Sequence, residues 1–97
     1  MNEYRKKIDE IDVRIAELLS ERIQLTRHIG KEKLKNFEEI YAPDRECDVL
    51  KNVALHSGSN ISYISEIYKK IFEVSRRIQE EIFREQRIGR ASCRERV

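Results

Sequence analysis

The first forty-two residues contain no proline, and apolar side chains recur along them at intervals that alternate between three and four. This spacing places the side chains on one face of an α-helix. They are Tyr4, Ile8, Ile11, Ile15, Leu18, Leu25 and Ile29. The pattern predicts one helix of roughly 33 residues, which would be about 50 Å long. A compact globule of 97 residues has a radius of gyration of only about 13 Å, so the far half of this helix must pack against something other than its own chain.

The composition also indicates a partner. Hydrophobic and charged residues each make up 39% of the chain, which is a thin apolar supply for a self-sufficient core in a single domain. A net charge of +2 is too small to indicate a nucleic-acid ligand. No apolar run approaches the roughly 18 residues of a membrane span, and the first residues, MNEYRKK, lack the apolar stretch of a signal peptide. We therefore expect a soluble, cytoplasmic protein without a membrane partner.

Two further helices are predicted after the first. Pro43 suits the first turn of a helix and restricts the residue before it, so residues 36–42 should form a loop and a second helix should run from about Pro43 to His56. A break follows, and a third helix with an isoleucine-rich stripe extends to about Arg87. The predicted fold is all-α, with three helices per chain in the order long, short, long. We interpret residues 1–87 as one helical domain and the basic residues 88–97 as a frayed or appended tail without a role in function.

Several polar residues lie where the helical stripes should be apolar. They are Arg22 in the first helix, with Lys33 on a nearly matching face about three turns further on, Glu46 on or beside the buried face of the second helix, and Ser75 and Gln79 in the third. Arg45 is the neighbour of Glu46, one step around the second helix. Arg22 is the clearest case, because an unpaired charge in a helix seam is costly and needs an anion. An intersubunit salt bridge, or a side chain that reaches water, would also account for a lone arginine. Gly30, in the same helix, either permits the close approach of another backbone or is simply tolerated.

Together these side chains supply cations, one carboxylate, a hydroxyl and an amide, but no nucleophile paired with a base and no cluster of metal ligands. Cys47 and Cys93 have neither the number nor the spacing of a disulfide framework or a metal site, and we interpret them as free thiols. The set fits a small, multiply charged anion with a hydroxyl group, held in a pocket between helices. An enzyme with this set would act by positioning and electrostatics rather than by covalent chemistry.

The order of these residues resembles the all-helical bacterial chorismate mutase family (AroQ class) over about Asn2 to Glu81. The resemblance rests on the motifs Arg5-x-x-Ile8-x-x-Ile11-Asp12, Leu18-Leu19-x-Glu21-Arg22, Gly30-x-x-Lys33, Asp44-Arg45-Glu46 and Ser75-x-x-x-Gln79. It implies an intertwined homodimer with two active sites that each draw on both chains. It also implies an isomerase that rearranges chorismate to prephenate in the shikimate pathway, on the route to phenylalanine and tyrosine, with no cofactor and no metal.

The resemblance further implies a role for each matching residue. Arg22 and Arg5 of the partner subunit would bind the two substrate carboxylates, and Ser75 would also hold a carboxylate. Lys33 and Gln79 would donate hydrogen bonds to the ether oxygen. Lys33, Gln79 and Arg22 are thus the expected catalytic residues.

In the second helix, the resemblance implies that Arg45 supports the carboxylate end of the substrate and that Glu46 accepts a hydrogen bond from the ring hydroxyl. Ala42 departs from the family pattern, in which an acidic residue is frequent just before this segment.

Three alternatives remain open from the sequence. An isochorismate pyruvate lyase on the same scaffold would have a similar cationic pocket, although Glu46 and Lys33 favour the mutase. A non-catalytic helical dimerisation module would need Arg22, Glu46, Ser75 and Gln79 to satisfy one another and leave no pocket. A regulatory or inactive domain with the same scaffold is the third alternative.

Overall fold

The computed structural model describes the backbone of residues 2–96 and the side chains of residues 2–86. It contains three α-helices and one short 3₁₀ turn. These are α1 (Asn2–Lys35), α2 (Pro43–Leu55), the turn Gly58–Asn60 and α3 (Ile61–Arg96). No β-strand occurs in the described part of the chain. The predicted all-α order of long, short and long helices is therefore confirmed.

The helix boundaries agree with the prediction except in α3. The loop at 36–42 and the start of α2 at Pro43 lie where they were expected. The third helix begins directly after the 3₁₀ turn, and its backbone continues to Arg96 rather than ending near Arg87. The side chains of the predicted basic tail, residues 88–97, lie outside the described residues, as does that of Cys93. The interpretation of this segment as a tail without a role in function stays a prediction.

Backbone hydrogen bonds hold the end of α1. The Glu38 N–H donates to the Lys33 carbonyl at 2.8 Å, and the Phe37 N–H donates to the Leu34 carbonyl at 3.4 Å. Phe37 has a positive φ of 59°. These bonds form a Schellman motif, whose left-handed position is usually occupied by glycine. After this turn the carbonyl of Ile40 lies 2.7 Å from Lys33 Nζ, so the loop returns to the helix that precedes it.

The start of α2 depends on proline and on charge rather than on a side-chain cap. Ala42 makes no capping hydrogen bond through its side chain, and its carbonyl accepts from the Glu46 N–H at 3.0 Å. Pro43 occupies the first turn together with Asp44 and Glu46. The fixed φ of proline suits this position, and carboxylates stabilise the positive end of a helix dipole. Ala42 therefore contributes its backbone to the start of the helix.

The three helices meet where the C-terminal half of α1 and the first turns of α2 reach the middle of α3. Arg22 contacts Ser75, and Gly30 lies against Gln79, so the contacts advance in the same direction along α1 and α3. Phe72, at 5% exposed, is the only hydrophobic residue among residues 2–86 that is buried. The core of the single chain is therefore very small.

The N-terminal half of α1 is exposed throughout, from Asn2 to Glu21. Its apolar stripe remains 46–69% exposed at Tyr4, Ile8, Ile11, Ile15 and Leu18. The radius of gyration is 17.8 Å, against about 13 Å for a compact chain of this length, and the longest dimension is 63 Å. No helix in the described residues combines the length and the apolarity that crossing a bilayer requires.

Candidate active site

A cavity of about 250 Å³ lies where the three helices meet. Its walls come from the C-terminal half of α1, the end of the loop, the first turns of α2 and the middle of α3. The structure brings six of the seven predicted site residues to this cavity: Arg22, Lys33, Arg45, Glu46, Ser75 and Gln79. Apolar side chains complete the walls, among them Leu25, Ile29, Val49 and Phe72. Mostly apolar walls with a few convergent polar groups are typical of sites for small molecules.

Arg22 is half-buried, and a hydrogen bond to α3 holds its guanidinium. Its Nη1 donates to Ser75 Oγ at 2.8 Å, and its own carbonyl accepts from Thr26 Oγ1 at 2.9 Å. Within the described part of the chain it forms no salt bridge. A neutral hydroxyl accepts a hydrogen bond but leaves the charge of the guanidinium uncompensated. The cation is therefore positioned on the cavity wall and remains available to an anion.

Lys33 is half-buried in the last turn of α1. Its Nζ donates to the carbonyl of Ile40 at 2.7 Å, across the loop between α1 and α2. An ammonium group has three donors, so this bond leaves two N–H groups for a ligand. The loop thus sets the position of the ammonium group at the cavity.

Gln79 is the most buried polar residue of the cavity together with Thr26, and each is 6% exposed. Its Nε2 donates to the carbonyl of Ser75 at 3.2 Å. A carbonyl can only accept, so this bond identifies the nitrogen end of the amide and leaves a second N–H on Nε2. The Oε1 atom is buried without a hydrogen-bond partner. Such an orphaned polar atom is costly in a closed core and marks a place where a ligand could bind.

Gly30 lets α1 approach Gln79 closely. A β-carbon at this position would lie 3.1 Å from Gln79 Cγ and 3.1 Å from Ile82 Cδ1. Both distances are shorter than an ordinary van der Waals contact between carbon atoms. Of the two explanations left open by the sequence, close approach is the one that the structure supports.

The first turn of α2 contributes Arg45 and Glu46. The Arg45 side chain is exposed at the rim, whereas Glu46 is half-buried. Glu46 Oε2 accepts from Arg76 Nη1 on α3 at 2.5 Å, in an ion pair whose side chains are 23% and 32% exposed. Sequence reasoning missed Arg76, which lies beside the apolar stripe of α3 rather than in it. The only available signal was its position next to Ser75, and the pairing depends on how α2 is rotated toward α3.

Arg5 does not line the cavity of its own chain. It precedes Arg22 by seventeen residues on the same continuous helix, which corresponds to about 25 Å along the axis. A side chain cannot reach back over this distance. Arg5 therefore belongs either to a site on another subunit or to no site.

The charges around the cavity favour an anion. Four cationic side chains line it, Arg22, Lys33, Arg45 and Arg76, against the single carboxylate of Glu46. Among the described residues, no three His, Cys, Asp or Glu side chains cluster in a way that could hold a metal ion. The polar groups also do not satisfy one another, because Gln79 Oε1 is orphaned and a cavity remains. Within the single chain, the described side chains therefore do not form the mutually satisfied set that a dimerisation module would need.

Comparison with known proteins agrees with this site. A model of the chorismate mutase type II family matches residues 4–80. A bifunctional chorismate mutase/prephenate dehydratase from Aquifex aeolicus (strain VF5) is 40% identical over 53 residues, which are 55% of this chain and 15% of the relative. A protein with the same description from Buchnera aphidicola subsp. Schizaphis graminum is 32% identical over 75 residues, 74% of this chain and 20% of the relative. The chain thus spans no more than a fifth of the length of these relatives. Since the family match covers most of its length and includes every residue of the cavity, the chain belongs to the chorismate mutase type II family.

Proposed function

We propose that this chain is a chorismate mutase, which rearranges chorismate to prephenate on the route to phenylalanine and tyrosine. The observation that carries the proposal is the cavity itself, in which cations and neutral donors converge around Ser75 and Gln79 without a nucleophile paired with a base. Chorismate is a dianion with a ring hydroxyl and an ether oxygen. Each of these groups has a matching partner among the side chains of the cavity.

The carboxylates of the substrate would bind to the cationic groups. Arg22 is already oriented by Ser75, so little reorganisation is needed when its guanidinium receives a carboxylate. Ser75 Oγ can donate its own proton to a carboxylate while it accepts from Arg22. Arg45, at the exposed rim, would support the same end of the substrate. The gain from these contacts is in orientation, because the reaction requires the two reacting ends of one molecule to meet.

Lys33 and Gln79 would act on the bond that breaks. Negative charge develops on the ether oxygen as its bond to carbon lengthens, so donors fixed at that oxygen stabilise the transition state more than the ground state. Lys33 retains two N–H groups beside its bond to Ile40, and Gln79 retains one beside its bond to Ser75. Glu46 would accept from the ring hydroxyl. No proton needs to be transferred and no covalent intermediate forms.

We further propose a homodimer in which Arg5 of the partner subunit completes each cavity. The exposed apolar stripe of α1 and the distance between Arg5 and Arg22 on one helix support this arrangement. A second copy that covered the N-terminal half of α1 would bring its own α1 to the cavity. The two sites would then each draw on both chains.

The decisive experiment incubates the purified chain with chorismate and, separately, with isochorismate, and follows the loss of each compound and the products formed. We expect conversion of chorismate to prephenate. Release of pyruvate from isochorismate without conversion of chorismate would assign the chain to the lyase reaction instead. Failure to convert either compound, in a folded and dimeric preparation, would overturn the enzymatic proposal.

A further inference from the structure

Arg76 connects three parts of the cavity wall, and the function proposed above does not use it. Its Nη1 donates to Glu46 Oε2 on α2, and its Cζ lies 5.5 Å from the centre of the Tyr41 ring in the loop before α2. This distance is in the range of a cation–π contact. One side chain on α3 therefore contacts both α2 and the loop.

The ion pair leaves part of Glu46 free for a ligand. Arg76 uses only Oε2 in the described structure. A carboxylate has two oxygens with about four lone-pair positions in total, so Oε1 can accept a further hydrogen bond from a hydroxyl group. The bond from α3 also fixes the side chain, which is 23% exposed.

The ion pair also affects the charge of the cavity. An unpaired Glu46 carboxylate would repel the carboxylates of an anionic ligand at close range. Arg76 lines the same cavity and compensates this charge. The cavity therefore keeps the positive charge of Arg22 and Lys33. It also keeps a carboxylate that can accept a hydrogen bond from a hydroxyl group.

We propose that Arg76 is a positioning residue, which holds the Glu46 carboxylate in place to receive the ring hydroxyl of the substrate and compensates its charge toward the substrate dianion. It acts through Glu46 and makes no contact with the substrate. This inference rests on the proposed function, since the substrate considered is chorismate.

The test is a double-mutant cycle of Arg76→Ala and Glu46→Gln, measured as kcat/KM on chorismate. Arg76→Ala leaves a bare carboxylate, and we expect kcat/KM to fall at least about tenfold. In the Glu46→Gln background no charge is left to compensate, so the same change should alter kcat/KM by less than about threefold. Arg76→Lys restores a cation and should recover most of the lost activity. Arg77→Ala, an exposed arginine next in the sequence, is the matched control and should match the parent.

Each outcome decides the inference. An equal loss from Arg76→Ala in both backgrounds would mean that Arg76 contacts the substrate directly, and would overturn the positioning role. A lower melting temperature with parent-like kinetics would mean that the ion pair is only structural, and would also overturn it. If Arg76→Ala does not fold, Arg76→Met, which keeps a long unbranched side chain but no charge, replaces it in the same cycle. If the parent does not convert chorismate, the proposed function is overturned as well. If the parent is active and Arg76→Ala has the same kcat/KM as Arg77→Ala, only this inference is overturned.

Discussion

At the scale of single residues, Arg22 and Gln79 are both bonded to Ser75, but the Arg22 charge and the Gln79 Oε1 atom have no partner among the described residues. Arg22 donates to the hydroxyl of Ser75, and Gln79 donates to the carbonyl of the same residue. Neither bond compensates the guanidinium charge or satisfies the buried Oε1 of Gln79. Both groups lower stability in the free protein, and a bound carboxylate would compensate the guanidinium charge. Changes at these residues should therefore affect activity more than stability.

Arg22→Ala tests this expectation directly. We expect kcat/KM on chorismate to fall at least about a hundredfold, on the order of 3 kcal/mol, because a buried contact between opposite charges is lost. The melting temperature should change little or rise, because an uncompensated charge leaves the helix seam. Arg27→Ala is the matched control, since Arg27 is exposed on the same helix and, among the described side chains, donates to Gln24. A clear loss of stability with near-normal kinetics would show that Arg22 has a structural role.

Gln79→Glu should make the reaction depend on pH. Glutamate is close in size but can donate a hydrogen bond only when it is protonated, below an ordinary pKa of about 4.3. Near neutrality the ionised carboxylate would face both the Ser75 carbonyl and the developing charge on the ether oxygen, so kcat/KM should be low. It should recover as the pH falls. Burial raises the pKa of such a carboxyl and the nearby cations lower it, so the direction is predicted without a midpoint.

The measurement for Gln79→Glu is kcat/KM from about pH 4.5 to pH 8, and the expected signature is a rise toward the acid end of this range. Folding is checked by circular dichroism at each pH. The parent should have a flatter profile, and Gln24→Glu, at an exposed glutamine of α1, should follow the parent. Parallel profiles for Gln79→Glu and the parent would mean that residue 79 does not donate to the ether oxygen.

At the scale of helices, the approach of α1 to α3 depends on Gly30. Alanine has the better helix propensity by about 1 kcal/mol, but its β-carbon would lie 3.1 Å from Gln79 Cγ. We expect Gly30→Ala to lower kcat/KM at least about tenfold, because a displaced amide loses its orientation, while the two effects on stability largely cancel. Lys31→Ala, at the exposed neighbouring position, should leave both quantities unchanged. Parent-like activity in Gly30→Ala would show that the close approach does not position Gln79.

The helices themselves could be predicted from the sequence because their signals are local. The three-and-four spacing, the proline-free first segment and Pro43 each indicate an element or a boundary without knowledge of the rest of the chain. The pairing of Glu46 with Arg76 could not be predicted, since it depends on the rotation of α2 against α3. The bond from Lys33 to the Ile40 carbonyl was also missed, because it follows from a Schellman turn with Phe37 at a position that usually requires glycine.

At the scale of the whole molecule, the single chain has too much surface for its mass. Its accessible surface is 8523 Å², whereas a compact monomer of 11.6 kDa exposes about 5,800 Å². For two chains the excess amounts to about 5,400 Å², which lies at the upper end of the surface that obligate homodimers bury between subunits, about 2,000–5,000 Å² or more in total. We therefore expect sedimentation velocity at low micromolar concentration to show a dimer, with no separate folded monomer on dilution. A compact, stable monomer would contradict both the dimer and the shared site.

Whether the cavity is shared between subunits can be decided by mixing two inactive variants. If Arg5 acts in the partner's site, a heterodimer of an Arg5→Ala chain with a Gln79→Ala chain has one site that lacks both residues and one site with both intact. Joint unfolding and refolding of equal amounts should produce heterodimers as half of the population, so about one quarter of the parent activity should return. Each variant refolded alone is the control and should stay inactive, and differently tagged chains allow the heterodimer to be isolated. No recovery in the isolated heterodimer would place Arg5 in the site of its own chain or in no site. The first alternative conflicts with the seventeen residues of continuous helix between Arg5 and Arg22, so the inactivity of Arg5→Ala would then arise outside the site, through folding or assembly.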